Sequence, residues 1–508
     1  MSRLTILKNA FANLCRGGAA ALVVLLLPPF LTRILDKDAY GTWLLILQLS
    51  TYVSFLDFGV QTAVGRFVAH CNELGDTKQR DSIISTSIAI LSGAAVLAMV
   101  GISILAWQLP HLFKDMPASL HQDARLALLC VGGSLAESLP FSVFGAIFVG
   151  LQRYDVPAWI VGASKLLGGI FVVLVAQSSH SIVMMAVVMG IANLCTGLWQ
   201  FVAYKKIAGY MVVSSRIVSK KAATEVMKYC STLVIWSMGM ILVTGLDTAI
   251  IGYFDYKSLA YYTLASSLTS FVIGIQNSIF TTILPNAAAI GARGDRAGLG
   301  KLLVSTTKYT IVILIVTSLP IIIGAKWILL LWVGENYAAQ TTQLLQLLII
   351  ANSIRQIGAP FAIIAMAVGE QRVIILSPII EGIVNVTASI TLVSRIGVIG
   401  VAVGTIIGGV ISVSLHFLYN LQRTKSILIE DIAVLYMAMF KPLIAALPGV
   451  LYLSFFTNEM INDFTLVDAL LFCATAISTV GIIYLFVITN DEKIKFSSLL
   501  NQKLRKIL

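Results

Sequence analysis

Four ionisable side chains lie deep inside long apolar runs: Glu137, Lys165, Arg355 and Glu381. At roughly 1.5 Å per residue, Glu137 stands about 12 residues into its run, Lys165 about nine, Arg355 about 13 and Glu381 about eight, all near the middle of a bilayer-crossing helix. A charge at that depth costs about 3 kcal/mol and is tolerated where it faces protein, water or a substrate path. Lys165 and Arg355 have the chemistry to replace water around an anionic group. Glu137 and Glu381 could serve as proton or sodium sites. The competing reading pairs Glu137 with Arg355 or Lys165, or Glu381 with Lys165, as internal salt bridges.

Four further charges are candidates with a plainer alternative beside each. Asp57, in the step LDFG, lies one or two turns from the end of its helix and could line a cavity or cap and kink the helix. Asp247 is about five residues from the end of its apolar run, within reach of water or of an interfacial partner. Arg33 and Arg66 flank spans, where snorkelling anchors are commoner than substrate ligands. Gly400, Gly404 and Gly408 form a small-xxx-small ladder for close helix packing. The six cysteines are scattered without CxxC spacing, so no disulfide framework or metal site is suggested, and no nucleotide-binding motif is seen.

The elements that must carry these residues are membrane helices. Of 508 residues 58% are hydrophobic and 12% charged, far below the charge of soluble domains. Fourteen apolar spans are expected at 12–32, 41–64, 83–107, 125–150, 156–177, 181–204, 230–252, 258–284, 308–331, 342–368, 373–394, 398–420, 436–456 and 466–489. The N-terminus has the basic start of a signal peptide but no small-residue cleavage site, and reads as an uncleaved first span. About 26 of the 35 lysines and arginines fall on one set of loops, which places both termini in the cytoplasm. The net charge of +11 is therefore a topology signal that suits anionic lipid headgroups and gives no reason to invoke nucleic acid. In the tail, Ile494, Phe496, Leu499 and Leu500 alternate with basic residues as in an interfacial helix.

A repeat organises the chain. Gly75-Asp76 and Gly294-Asp295 are 219 residues apart, as are Gly150-Leu151-Gln152-Arg153 and Gly369-Glu370-Gln371-Arg372. The expected architecture is an all-α membrane protein with a six-helix lobe at 1–204, a basic connector at 205–229, a parallel six-helix lobe at 230–420, two additional helices at 421–489 and a basic tail at 490–508. Repeated halves of this kind are a transporter architecture.

The run from Leu25 to Ala69, LLLPPFLTRILDKDAYGTWLLILQLSTYVSFLDFGVQTAVGRFVA, with the GD loop after span 2 and the Gly-rich span 12, resembles Wzx-like O-antigen and polysaccharide repeat-unit flippases, relatives of multidrug extrusion transporters. The resemblance implies alternating access by a two-lobed body that moves an undecaprenyl-pyrophosphate-linked oligosaccharide from the cytoplasmic to the periplasmic leaflet of the bacterial inner membrane. It also implies membrane lipids as partners, possible coupling to H+ or Na+ with no other cofactor, and contact that could extend to polymerase and chain-length proteins of the same pathway. The alternative is a small-molecule cation antiporter of the related extrusion family, for which acidic residues, aromatics and about twelve spans would be expected. An enzyme is disfavoured: the longest outside segment, 108–125, has His111 and His121 but no paired acids for general acid-base work.

Overall fold

The computed structural model describes residues 23–280, 282–456, 466–490 and 492–493. The expected tail helix, and the expected first span before residue 23, lie outside the described residues. Among the described residues thirteen helices are long and apolar enough to cross a membrane, and a shorter apolar helix, Val23–Ile34, precedes them. In chain order these are α1 (Val23–Ile34), α2 (Lys37–Leu74), α3 (Thr77–Leu112), α4 (Ala118–Gly150), α5 (Asp155–Ser179), α6 (Ile182–Ile207) and α7 (Leu233–Phe254). The second series is α8 (Tyr256–Ala292), α9 (Arg296–Val333), α10 (Glu335–Ala367), α11 (Gln371–Ile396), α12 (Ile399–Arg423), α13 (Ile432–Ser454) and α14 (Asp468–Val487). The chain packs as two compact units, Met1–Phe271 with Pro378–Gly404, and Val272–Ser377 with Thr405–Leu508.

Both GD steps close a helix and start the next in one way. Gly75 and Gly294 each have φ +69°, the left-handed conformation that ends a helix. Asp76 and Asp295 then cap α3 and α9, accepting from the backbone N–H of Gln79 at 2.9 Å and Gly298 at 2.7 Å. Both long helices start at these caps, which is why α3 and α9 begin before the expected 83 and 308: the polar first turns continue the helix beyond the apolar run. The second expected match is out of register. The left-handed residues are Gln152 and Gly369, 217 apart (369 less 152), so two residues separate the sequence match from the structural one.

In the first unit, α2 is not the single helix expected at 41–64. It runs as an α-helix over Lys37–Thr51, tightens to a 3-10 turn at Tyr52–Asp57, and restarts at Val60–Leu74. The break falls on Phe58 and Gly59, with φ +52° and +79°, and a Cβ at Gly59 would stand 2.6 Å from the Leu233 side chain. Glycine is required there by both conformation and space.

The connector is stitched to α3 by polar side chains. Asp81 accepts from the Val212 N–H at 3.0 Å, Ser85 from Ser214 at 3.1 Å and Thr86 from Ser219 at 3.2 Å, while Ser82 donates to the Ile217 carbonyl at 2.9 Å. Its last residues are helical, because Ser219 caps a helix that begins at Lys220 and leads into α7.

A π-helical step at Ile241–Gly245 interrupts α7. Such a step frees backbone carbonyls, which then need other donors. Gln48 Nε2 donates to the Gly245 carbonyl at 3.1 Å, joined there by the Tyr52 hydroxyl, and Asn385 Nδ2 donates to the Val243 carbonyl at 2.9 Å.

The second unit is held by side-chain amides and hydroxyls on α8, α9 and α10. Gln276 donates to Thr317 Oγ1 at 2.9 Å and Ser318 Oγ at 3.2 Å, and Ser353 donates to Ser318 at 2.9 Å. Gln356 donates to Asn277 Oδ1 at 3.0 Å. Beyond α14, Glu492 receives Lys308 Nζ at 2.7 Å on each oxygen, Tyr309 Oη at 2.7 Å and the Thr489 N–H at 2.8 Å. Burial pushes this carboxyl up, but those hydrogen bonds outweigh it and hold it down at about 2.

Candidate functional site

A chamber of about 540 Å³ lies inside the first unit, walled by the restarted half of α2, by α4, the start of α5, and α6. The LDFG break sets the α2 wall. Asp57 Oδ1 accepts from the Gln61 N–H at 3.4 Å, at the start of a fresh helix whose residues 61, 65 and 69 share one face. Helical spacing likewise brings Ser138, Ser142 and Gly145 of α4, and Asn193, Thr196 and Gln200 of α6, to the chamber. The α2 and α4 walls touch at backbone distance: a Cβ on Gly150 would stand 2.8 Å from the Gly65 carbonyl oxygen.

The chemistry of the lining is distinctive. Four side-chain amides (Gln61, Gln152, Asn193, Gln200) and several hydroxyls face the space, and among the described lining residues Arg66 is the one charge and no carboxylate appears. Arg66 rests on aromatic faces, its guanidinium carbon 4.8 Å from the Tyr229 ring centroid and 5.7 Å from that of Phe67. Cation–π contact orients the guanidinium without neutralising it. Amides and hydroxyls offer both donors and acceptors, the set a sugar requires, and a cation adds a partner for phosphate.

Beside the chamber runs a groove of about 390 Å³ lined by α1, α2, α5 and α6, and the two share Val161, Asn193 and Thr196. Apart from Lys165 and a few polar side chains, the groove is apolar, with Trp43, Leu47 and Val172 among its walls. A polar space and a mostly apolar one thus lie side by side, and Lys165 lines the apolar one.

The remaining candidates are dispersed. Glu137 is exposed on α4, next to chamber-lining Ser138, and Arg33 is exposed at the end of α1. Asp247, expected within reach of water, is instead buried where α7 resumes after its π-helical step, and accepts from the Tyr262 hydroxyl at 2.9 Å. The correction has a local cause: the interrupted helix turns this residue toward α8. Glu381 is buried on α11, whose next residue, Gly382, lies against Leu242. Arg355, in the second unit, is half-buried in the last turn before α10 breaks at Ile357 and Gly358, and donates to Asn352.

Sequence reasoning missed Gln61, Gln152, Asn193 and Gln200. Uncharged amides carry no depth penalty large enough to single them out, although Asn193, Thr196 and Gln200 at helical spacing in one apolar run was a usable signal.

The family described as polysaccharide biosynthesis protein matches residues 6–290, more than half of the chain. The chain belongs to that family. Its fold is similar to that of the lipid II flippase MurJ in an inward closed conformation, at 17% identity and TM-score 0.69, covering 94% of this chain and 99% of that one. An inward-facing multidrug resistance MATE family transporter of the MOP superfamily is similar at 14% identity and TM-score 0.67, covering 79% of this chain and 94% of that one. A MOP superfamily transporter from Pyrococcus furiosus, described as having a binding pocket of reversed polarity, matches at 14% identity and TM-score 0.57, covering 82% and 95%. No curated protein matches the sequence. The chain is therefore a multi-pass membrane protein of that family, with a fold shared by MurJ and the MATE transporters.

Proposed function

We propose that this protein flips a lipid-linked oligosaccharide repeat unit, carried on undecaprenyl pyrophosphate, from the cytoplasmic to the periplasmic leaflet of the bacterial inner membrane by alternating access, for assembly of an O-antigen-like surface polysaccharide. The observation that carries the reading is the chamber: amides, hydroxyls and one cation, with no acid among its described lining residues, beside an apolar groove. An amphiphile with a sugar head, a phosphate at the joint and a hydrocarbon tail matches that sequence of environments. A cation antiporter would place carboxylates in the binding space, and the described lining has none.

In this reading Arg66 and Lys165 meet the pyrophosphate, the amides meet sugar hydroxyls, and Arg355 is the cationic candidate of the second unit. Glu137, Glu381 and Asp247 are candidates for proton or sodium coupling.

The test uses reconstituted vesicles with an undecaprenyl-pyrophosphate-linked oligosaccharide placed in one leaflet and an impermeant enzyme outside the other. We expect protein-dependent exposure of the glycan, lost in Arg66→Ala and Lys165→Ala and partly kept in Lys165→Arg, which preserves the charge. Efflux of small organic cations with no glycan movement would move the protein to the antiporter branch.

A further inference from the structure

A cavity of about 680 Å³ lies wholly within the second unit, at the end of its helices where the charge bias of the sequence predicts the cytoplasm. Three pieces of chain meet there: the α8–α9 turn at Gly294, the end of α10 at Ala367 and Val368, and the connector from α12 to α13 at Lys425 and Ser426. Two exposed cations line it from different walls, Arg296 in the first turn of α9 and Lys425 on the connector, and no acid is among its described lining residues.

The two walls are pinned to each other. Glu370 accepts from the N–H groups of Lys425 at 3.0 Å and Ser426 at 2.9 Å and from the Ser426 hydroxyl at 2.6 Å, and the Leu428 N–H donates to the Arg296 carbonyl at 3.0 Å. Gly300 admits this approach, since a Cβ there would collide with the Leu428 carbonyl oxygen. The charges around the cavity are unbalanced: segments 293–296, 369–372 and 423–426 hold five cations and two acids. Both acids are engaged by backbone donors, Asp295 by the Gly298 N–H at 2.7 Å and Glu370 by the connector, and neither forms an ion pair among the described residues. The first unit differs where its own connector meets α3. There Arg80 is buried, pairs with Asp81 at 2.8 Å and donates to Asn72 at 2.9 Å. That cation is taken up by the structure, whereas Arg296 and Lys425 face open space.

We propose that this cavity binds a phosphate-bearing anion between Arg296 and Lys425, independently of what the first-unit chamber carries. The guanidinium offers a planar fork to two phosphate oxygens and the ammonium a mobile point charge, and hydrogen bonds between such ions are the strong ones. The volume suits a pyrophosphate or a glycerophosphate group. A bound anion bridges α9 and the connector, so it stabilises the folded second unit. A soluble phosphate and a lipid headgroup share this chemistry, and the test separates them.

The experiment follows the melting midpoint of the full-length protein in an uncharged maltoside detergent at fixed ionic strength. Sodium pyrophosphate and dihexanoyl phosphatidic acid are titrated in turn, with dihexanoyl phosphatidylcholine as the zwitterionic control. We expect a saturable rise whose half-effect concentration increases about tenfold in the double variant Arg296→Gln, Lys425→Gln and stays near wild type in Lys425→Arg. Lys221→Gln, which removes an exposed cation from the first unit, should respond like wild type. A rise with pyrophosphate alone assigns a soluble phosphate, a rise with phosphatidic acid alone assigns a lipid headgroup, and a rise with both assigns a site that reads only the phosphate. No saturable rise with either overturns the proposal. So do an equal rise with phosphatidylcholine, an undiminished response in the double variant, and an equal loss in Lys221→Gln, which would reduce the effect to diffuse surface charge.

Discussion

The two units use the same kind of side chain in opposite ways. In the first, Gln61, Gln152, Asn193 and Gln200 line a chamber, and of these Asn193 also donates across to Ser134 Oγ at 3.0 Å. In the second, Gln276, Ser353 and Gln356 reach Thr317, Ser318 and Asn277 across α8, α9 and α10 and close on one another. Amides in a membrane bundle must find partners, and helices that approach closely supply them from each other. Where α2 restarts, its wall meets that of α4 at Gly65 and Gly150, and the amides line the space enclosed with α5 and α6.

The largest expected effect tests this contrast directly. Ser142→Trp should fill the chamber and lower glycan flipping at least tenfold while elution and melting stay near wild type, whereas Ser353→Trp should overpack the second unit and lower its stability by about 1–3 kcal/mol. Loss of folding in both would erase the distinction. The next effect concerns single amides. Gln276, 1% exposed, donates twice, so Gln276→Ala should cost about 1–2 kcal/mol in thermal unfolding. Gln200→Ala should leave the melting midpoint nearly unchanged and slow flipping. If Gln200→Ala were the more destabilising, the chamber wall would be a zip like its counterpart.

A smaller effect is expected where the chain leaves α14. Glu492→Gln should lower the melting midpoint at neutral pH, because the charged carboxylate receives Lys308, Tyr309 and Thr489. With its carboxyl held at about 2, below the ordinary 4.5, the stabilisation is fully present above about pH 4.5 and fades as pH falls through about 2. The gap between wild type and variant should shrink over that window; a gap that widens on acidification would contradict the assignment. The smallest effect is Asp57→Asn, which keeps an acceptor for the Gln61 N–H and should leave both stability and flipping close to wild type. A large loss of flipping with normal stability would give Asp57 a substrate role beyond capping.

Much of this was legible in the chain itself. Continuous apolar runs fixed the helical class and the places of thirteen long apolar helices among the described residues, since a backbone in lipid must satisfy its own hydrogen bonds and the helix does so locally. The two GD steps marked equivalent turns, because left-handed backbone and an N-cap need those residue types in that order. Depth along a helix likewise picked out Lys165 as a candidate charge.

Packing decided the rest. Asp57 reads equally as a cavity acid or a cap until the 3-10 turn and the restart at Val60 are seen. Asp247 moved from water's reach to the core through a π-helical step that no hydropathy pattern signals. Amides at positions 61, 152, 193 and 200 came to line one chamber only when segments distant in sequence packed together. Local sequence sets what each segment is, because helix formation and caps are short-range; which side chains face a common space depends on helix rotation and separation, and those are set by contacts among segments far apart in the chain.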